Sequence, residues 1–271
     1  MPIRLLALDL DGTILDSNMR ISPRTRQALR QAQARGVHVT LASGRPFHNV
    51  RLFADNLGIR EPVICCQGAV VQDVLTQEAY FHRGVPVPLA YEAIDVVRQQ
   101  GWDLCLHLDD RLYVDRITPH VRFYAGYSPI EEELHPVADL KAALCHEPTK
   151  LVVIVDAEQG AEVSTLLGSH FKGRLQVVRS FPRFIEATNL AATKGQALSF
   201  LAHKLGVTQA ETMAIGDNDN DADMVAWAGL GVAMGNASAT VKATADYVAT
   251  SIAEDGAAEA IERFILGRRD V

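Results

Sequence analysis

The chain has 271 residues, 48% of them hydrophobic and 22% charged, the ordinary mixture of a globular protein long enough for one large domain or two modest ones. Its net charge is −7 with no run of Lys or Arg, which argues against nucleic acid or an anionic membrane surface as a partner while allowing a local phosphate site. No apolar run approaches the roughly 18 residues of a membrane span, and Arg4 interrupts the opening strand where a leader would be apolar, so a cytoplasmic protein is expected.

In chain order, Ile3–Leu8 reads as a buried strand. Ser22-Pro23 reads as an N-cap with proline at the first helical position, and Gly36 closes that helix. Val37–Ala42 is a second strand, Pro46–Leu57 a helix stopped by Gly58, and Val63–Cys66 a third strand, an alternation that indicates a parallel sheet flanked by helices. The pattern then changes: a helix near Leu89–Gln100, short strands near Leu104–Leu108 and Leu112–Val114, irregular chain around Pro119, Pro129 and Pro136, a strand at Lys150–Val155, a helix at Ala161–Phe171 and a strand at Leu175–Arg179. Alternation resumes with a helix at Lys194–Leu205, a strand at Thr212–Ile215, a helix at Asp221–Ala228, strands at Gly231–Met234 and Tyr247–Val248, and a final helix at Gly256–Leu266. The expected organisation is α/β, with an α+β unit over 85–183 inserted between the two parts, 1–84 and 184–271, of a parallel-sheet domain. Cys65, Cys66, Cys105 and Cys145 lack C-x-x-C spacing and read as reduced core residues, and the nine histidines contain no H-x-x-x-H pair.

Four segments carry residue types suited to chemistry, and in a parallel α/β sheet all four converge beyond the carboxyl ends of the strands. Asp9 and Asp11 end the first strand in Asp9-Leu10-Asp11-Gly12-Thr13. If extended geometry persists they share one face, where two carboxylates repel unless a cation lies between them or one takes a proton. One reading is a hard metal ion with a nucleophile; the other is an acidic turn in which Gly12 supplies positive φ. Ala42-Ser43-Gly44-Arg45-Pro46 offers a hydroxyl and a glycine N–H to an anion at a helix start, and by itself reads as a helix cap. Lys194 opens a helix, an unfavourable place for a cation that makes sense if it faces carboxylates and phosphate; in isolation it reads as a solvated surface lysine. The acidic run Gly216-Asp217-Asn218-Asp219-Asn220-Asp221 suits Mg²⁺, which prefers oxygen ligands, although Asp221 also reads as a helix cap. It is not an EF-hand loop, because the glycine precedes the run and no glutamate follows at the required distance.

Taken in order, DLDGT at 9–13, Ser43-Gly44-Arg45, Lys194 and GDNDND at 216–221 resemble the four motifs of the haloacid dehalogenase (HAD) superfamily. The long insertion and the tail Gly229–Ala237 resemble the Cof-type phosphatases within it. The resemblance runs over nearly the whole chain and is weakest in the insertion. It implies a Rossmann-like parallel-sheet core with an inserted α+β cap domain that closes over the active site, and a phosphoric monoester hydrolase. By that resemblance Asp9 is the nucleophile that forms an aspartyl-phosphate, and Asp11 protonates the leaving group and then activates water. Mg²⁺ is held by Asp9, Asp217 and the backbone carbonyl of Asp11, with Asp221 and Asn220 supporting the site. Ser43, the N–H groups of Leu10 and Gly44, Lys194 and Asn220 bind the phosphate. The implied substrate is a small phosphorylated metabolite, sugar phosphates foremost, ahead of nucleotides, flavin mononucleotide and pyridoxal phosphate.

Two departures accompany the resemblance. Gln67-Gly68-Ala69 stands where the family commonly has asparagine before Gly-Ala, which lengthens or removes a substrate contact, and Ile252-Ala253 replaces the usual Asn-Asp before Glu-Asp-Gly, a change expected to affect loop capping. Rival functions fit less well. Gly229-x-Gly231-x-x-x-Gly235 is one residue too long for a dinucleotide fingerprint, and its first glycine ends a helix. A non-catalytic phosphometabolite sensor on the same scaffold has no need of a nucleophile beside an acid, and the large insertion favours a hydrolase over a phosphomutase. His107, Asp109, Asp110 and Arg111 read as a solvated hairpin. The oligomeric state is not legible.

Overall fold

Leu5, Leu6, Ala7 and Leu8 are all completely buried and form β1 (Leu5–Leu8), an unbroken apolar run of the kind a parallel sheet covers on both faces. In this computed structural model, which describes residues 2–109, 111–127 and 133–268, α1 (Pro23–Ala34) begins where Ser22 Oγ accepts from Thr25 N at 3.0 Å and ends before Gly36, whose φ is +79°. β2 (His38–Leu41), α2 (Phe47–Asn56) and β3 (Val63–Cys65) follow. The chain then turns through Cys66, Gln67 and Gly68, all with positive φ, and returns as β4 (Val70–Gln72) antiparallel to β3, with β5 (Ala79–His82) completing a three-stranded sheet. The sequence pattern does not announce β4 and β5, because segments so short carry no usable period.

The second unit, His82–Ala192, is an α+β fold. Its elements are α3 (Val87–Gln100), β6 (Asp103–Leu108), β7 (Arg111–Val114), α4 (Pro119–Ala125), β8 (Leu134–Pro136), α5 (Leu140–Ala143), β9 (Lys150–Ile154), α6 (Gly160–His170), β10 (Leu175–Phe181) and β11 (Phe184–Asn189). The six strands form one sheet in the order β10-β11-β9-β6-β7-β8, antiparallel except for β7 with β8. Alternation sorts the faces. Leu104, Leu106, Leu151, Val153 and Ile185 pack with Ile94 of α3 and Leu167 of α6 on one side, and Cys105, Val152, Ile154 and Phe184 with Val121 and Tyr124 of α4 on the other.

Several expectations change here. The chain at Pro119 is a helix, since Thr118 Oγ1 accepts from Val121 N at 3.2 Å and proline sits at the first helical position, the same signal that starts α1. Pro136 ends β8, and Pro129 and Asp110 lie outside the described residues. The boundary expected at 183/184 moves to Ala192, because β11 pairs antiparallel with both β10 and β9 and so belongs to the second unit's sheet; the first boundary falls at Phe81 rather than 84. Cys65, Cys66 and Cys105 are buried, whereas Cys145 is exposed and not a core residue. Among the described residues no helix is long and apolar enough to cross a membrane.

From Thr193 the chain rebuilds the first unit with α7 (Lys194–Lys204), β12 (Thr212–Gly216), α8 (Ala222–Trp227), β13 (Leu230–Ala233), α9 (Ala239–Thr244), β14 (Tyr247–Val248) and α10 (Gly256–Phe264). Its sheet runs β14-β13-β12-β1-β2 with every pair parallel, and a bridge between Ala42 and Ile64 carries β3 onto the edge. The strand order reverses between β1 and β12, so the crevice at their carboxyl ends is the topological switch point where such sheets bind ligands.

Gly68 is where the β3 turn meets the start of α7: its φ is +92°, and an added Cβ would lie 2.2 Å from the carbonyl carbon and oxygen of Thr193. Gly68→Ala is expected to lower the unfolding free energy by about 2 kcal/mol or more. Gly58→Ala, with φ +66° and open space around it, should lose only about 1 kcal/mol. Urea denaturation compares them, and equal losses would show that the approach to Thr193 carries no energy.

Candidate active site

Asp9 is the first residue past β1, and its N–H donates to Ile215 O of β12 at 3.0 Å, which fixes its backbone in the switch-point crevice. Beyond it Leu10 O accepts from the amides of Thr13, Ile14 and Leu15, curling the chain into a compact loop. The curl brings Gly12, with φ +85°, so close to the third loop that a Cβ there would lie 2.3 Å from Asp217 Oδ2. Thr13 Oγ1 donates to Asp217 Oδ1 at 3.0 Å, and Asn236 Nδ2 donates to Gly12 O at 2.9 Å.

Lys194 opens α7 with its side chain wholly buried, so the surface-lysine reading does not hold. Its ammonium donates to Asp9 Oδ1 at 2.6 Å and to Asp221 Oδ1 at 2.5 Å. The other Asp221 oxygen accepts from the amides of Asp217 and Asn218, both at 3.0 Å, so capping of the turn at Asp219–Asp221 and construction of the cluster are tasks of one buried residue. The remaining Asp9 oxygen has no donor among the described residues. Asp11 is drawn elsewhere. Its side chain is 53% exposed, and both oxygens accept from Arg45, Oδ2 from Nε at 2.8 Å and Oδ1 from Nη2 at 2.7 Å.

The Ser43 loop is not a helix cap. Pro46 holds the N-cap position of α2 without a side-chain bond, while Ser43 Oγ accepts from Arg45 N at 3.2 Å inside the loop. Ser43 N donates to Ile64 O at 2.9 Å and Ser43 O accepts from Gln67 N at 3.1 Å, which ties the loop to β3 and its turn. Gln67 is buried and lies over Gly44, where a Cβ would meet its Nε2 at 2.4 Å. Its Oε1 accepts from Asn220 Nδ2 at 2.6 Å, and Asn220 Oδ1 is buried with no partner among the described residues. The amide bridge from 220 to 67 thus joins the acidic loop to the Ser43-Gly44 loop.

Of the residues expected in the site, Asp9, Lys194, Asp217 and Asp221 form one cluster, Ser43, Gly44 and Asn220 form a second group built around Gln67, and Asp11 is paired with Arg45. Thr13, Arg45 and Asn236 were not singled out from the sequence. All three lie inside segments that were, Asn236 in the tail Gly229–Ala237, and the return from β13 is what brings Asn236 to the Gly12 and Asp217 loops. Near the carboxyl terminus the turn Ile252–Glu254 is closed by a Ser251–Glu254 capping box, and Ile252 N donates to Asn236 Oδ1 at 2.9 Å.

The electrostatics of the cluster are unbalanced. Burial, and then the Asp221 carboxylate, hold Asp9 well above the usual carboxylate range against the opposing pull of Lys194. Burial and Asp221 likewise push Asp217 up to about 6. Burial alone would lower Lys194, but the Asp221 and Asp9 carboxylates outweigh it and hold the ammonium above the ordinary lysine value. Asp9, Asp217 and Asp221 offer oxygens within 4.8 Å of one another. Three carboxylates against one ammonium leave two negative charges, the complement of one divalent cation, and an all-oxygen donor set suits a hard one. The cluster can hold a metal ion.

The pattern of haloacid dehalogenase-like hydrolases matches residues 6–261. The chain belongs to that family. It is 30% identical over 267 residues to the 5-amino-6-(5-phospho-D-ribitylamino)uracil phosphatase YcsE of Bacillus subtilis, covering 97% of this chain and 96% of that protein. A haloacid dehalogenase-like hydrolase from Bacteroides thetaiotaomicron has a crystal structure that superposes with a TM-score of 0.84 at 30% identity, covering 96% of this chain and 99% of that one. A sugar phosphatase of HAD subclass IIB superposes with a TM-score of 0.81 at 25% identity, covering 96% and 98%. The protein is a HAD-family phosphatase.

The raised value of Asp217 has a measurable consequence in this HAD phosphatase when divalent cations are removed. A carboxyl whose folded pKa, about 6, exceeds its ordinary 3.8 contributes stability that is complete below the lower value and lost as pH rises through the upper one. The difference in unfolding free energy between Asp217→Asn and the parent, measured in chelator, should therefore move in favour of the variant from pH ~4 to ~6 and stay level above ~7. A difference that does not change with pH would return Asp217 to an ordinary environment.

Proposed function

We propose that this phosphatase hydrolyses small phosphomonoesters, sugar phosphates foremost, with Mg²⁺ and through an aspartyl-phosphate formed on Asp9. One observation carries the reading: a buried ammonium, Lys194, grips one oxygen of Asp9 and leaves the other without a donor among the described residues. That arrangement suits a nucleophile. The free oxygen attacks phosphorus as the bond to the leaving oxygen breaks, and Asp11 gives that oxygen a proton. Asp11 then takes a proton from water, whose oxygen attacks the acyl phosphate, restoring Asp9 and releasing inorganic phosphate.

Lys194, Ser43, Asn220 and the N–H groups of Leu10 and Gly44 bind the phosphate oxygens, Asn220 being held by Gln67. Mg²⁺ would be held by Asp9, Asp217 and the carbonyl of Asp11, and would offset the charge of carboxylate and phosphate so that one anion can approach another. Asp221, whose oxygens already accept from Lys194 and two amides, acts in support. Two relatives favour a sugar-like carrier for the phosphate: YcsE is named for a phosphoribityl substrate, and the subclass IIB protein is named a sugar phosphatase.

Release of phosphate from 4-nitrophenyl phosphate is expected with Mg²⁺ and not with chelator. Asp9→Asn should lower kcat by about a thousandfold or more, as loss of a nucleophile does. Parent-like activity in that variant, or activity indifferent to chelator, would remove the mechanism. A panel of phosphorylated metabolites then identifies the carrier.

A further inference from the structure

We infer that Arg45 is the positioning residue for the acid–base carboxylate Asp11, a role that rests on the reaction proposed above. Asp9 has burial and Lys194 to fix it, but Asp11 has neither: it is half exposed, and among the described residues its oxygens accept from Arg45 alone. Arg45 can supply what Asp11 lacks. Its two parallel N–H donors set the plane of the carboxyl as well as its distance, which a single-point cation cannot do.

Arg45 is itself anchored along its length. Its N–H donates to Ser43 Oγ at 3.2 Å and its carbonyl accepts from Cys66 N at 3.0 Å. Its guanidinium donates to Met19 Sδ at 3.4 Å and lies 5.8 Å from the centroid of the Phe53 ring on α2, leaving the side chain 17% exposed. The Ser43-Gly44-Arg45 segment therefore has two tasks on adjacent residues: Ser43 and Gly44 serve the phosphate, and Arg45 aims the proton donor. Placement errors near 1 Å cost on the order of a hundredfold in rate, so a half-exposed acid needs such a clamp.

Two substrates separate positioning from phosphate binding. In the first half-reaction the Asp11 O–H bond breaks and the proton passes to the leaving oxygen while the Asp9–phosphorus bond forms. An alkoxide requires that proton, whereas 4-nitrophenolate departs without it. Because kcat/KM reports steps only through phosphoryl transfer in this two-step scheme, it reads the acid and not the later base. Arg45→Ala should lower kcat/KM for an alkyl phosphate such as glucose 6-phosphate by about tenfold to a hundredfold, and for 4-nitrophenyl phosphate by less than about threefold. Arg45→Lys, which keeps the charge and loses the fork, should show the same selectivity, and it carries the test if the alanine variant does not fold. Equal losses on both substrates would make Arg45 a phosphate ligand, and parent-like activity on the alkyl phosphate in either variant would make the clamp dispensable; each overturns the proposal while the proposed reaction stands. A parent protein inactive on both substrates, or an active Asp9→Asn, overturns the two together.

Discussion

The buried Lys194 ammonium, held between Asp9 and Asp221, is the interaction on which the site depends. A cation at the amino end of a helix works against the helix dipole, and a wholly buried one is costly unless paired. Two carboxylates from opposite parts of the chain supply the pairing, one at the end of β1 and one after β12. The first of these segments, which most of the sequence separates from the other two, is thereby brought to the same point as they are. Removing the lysine would leave two buried carboxylates without their shared cation, the kind of change that destabilises proteins by about 3–5 kcal/mol.

Close approach of glycine backbone to neighbouring side chains and backbone lets these segments meet. Gly12 touches the Asp217 carboxylate, Gly44 the Gln67 amide and Gly68 the Thr193 carbonyl, each at a distance no Cβ would allow. The three consecutive positive-φ residues after β3 include two that are not glycine, Cys66 and Gln67. Such backbone costs about 1–3 kcal/mol per residue and persists where the surroundings over-determine it. Here the strained turn sets Gln67 against both Gly44 and Asn220, joining the acidic loop to the Ser43-Gly44 loop.

The charge arrangement divides the site into two parts with different physical character. Asp9, Asp217 and Asp221 outnumber their one cation in a buried pocket, so Asp9 and Asp217 both stand above the ordinary carboxylate range. Asp11 and Arg45 instead form a balanced pair nearer to solvent. The first part carries two excess negative charges that a divalent cation would offset, and the second holds a carboxylate against the two donors of one guanidinium. Two aspartates two residues apart thus have opposite environments, the condition under which like groups take unlike tasks.

Much of this was legible in the chain. Apolar runs such as Leu5–Leu8, the Ser-Pro start of α1 and the glycines that end helices are local signals, and they suffice for the parallel sheet and the inserted α+β unit. Four polar segments beside strand ends carry the resemblance to the HAD family, and three of the aspartates in them, with Lys194, are the residues that the fold gathers into one cluster. Local signals failed where partners are distant. The strand Phe184–Asn189 alternates buried polar with apolar residues, and only its pairing with β9 and β10 assigns it to the second unit. Lys194 and a surface lysine look alike until Asp9 and Asp221 bury it, and Ser43 looks like a cap until Gln67 and Arg45 take up its loop. The sequence by itself determined which side chains are available and on which strand ends they stand, because periodicity and turn chemistry act over a few residues. Tertiary structure alone decided which carboxylate meets Lys194 and which meets Arg45, because burial, charge pairing and glycine-permitted approach depend on segments that the chain keeps far apart.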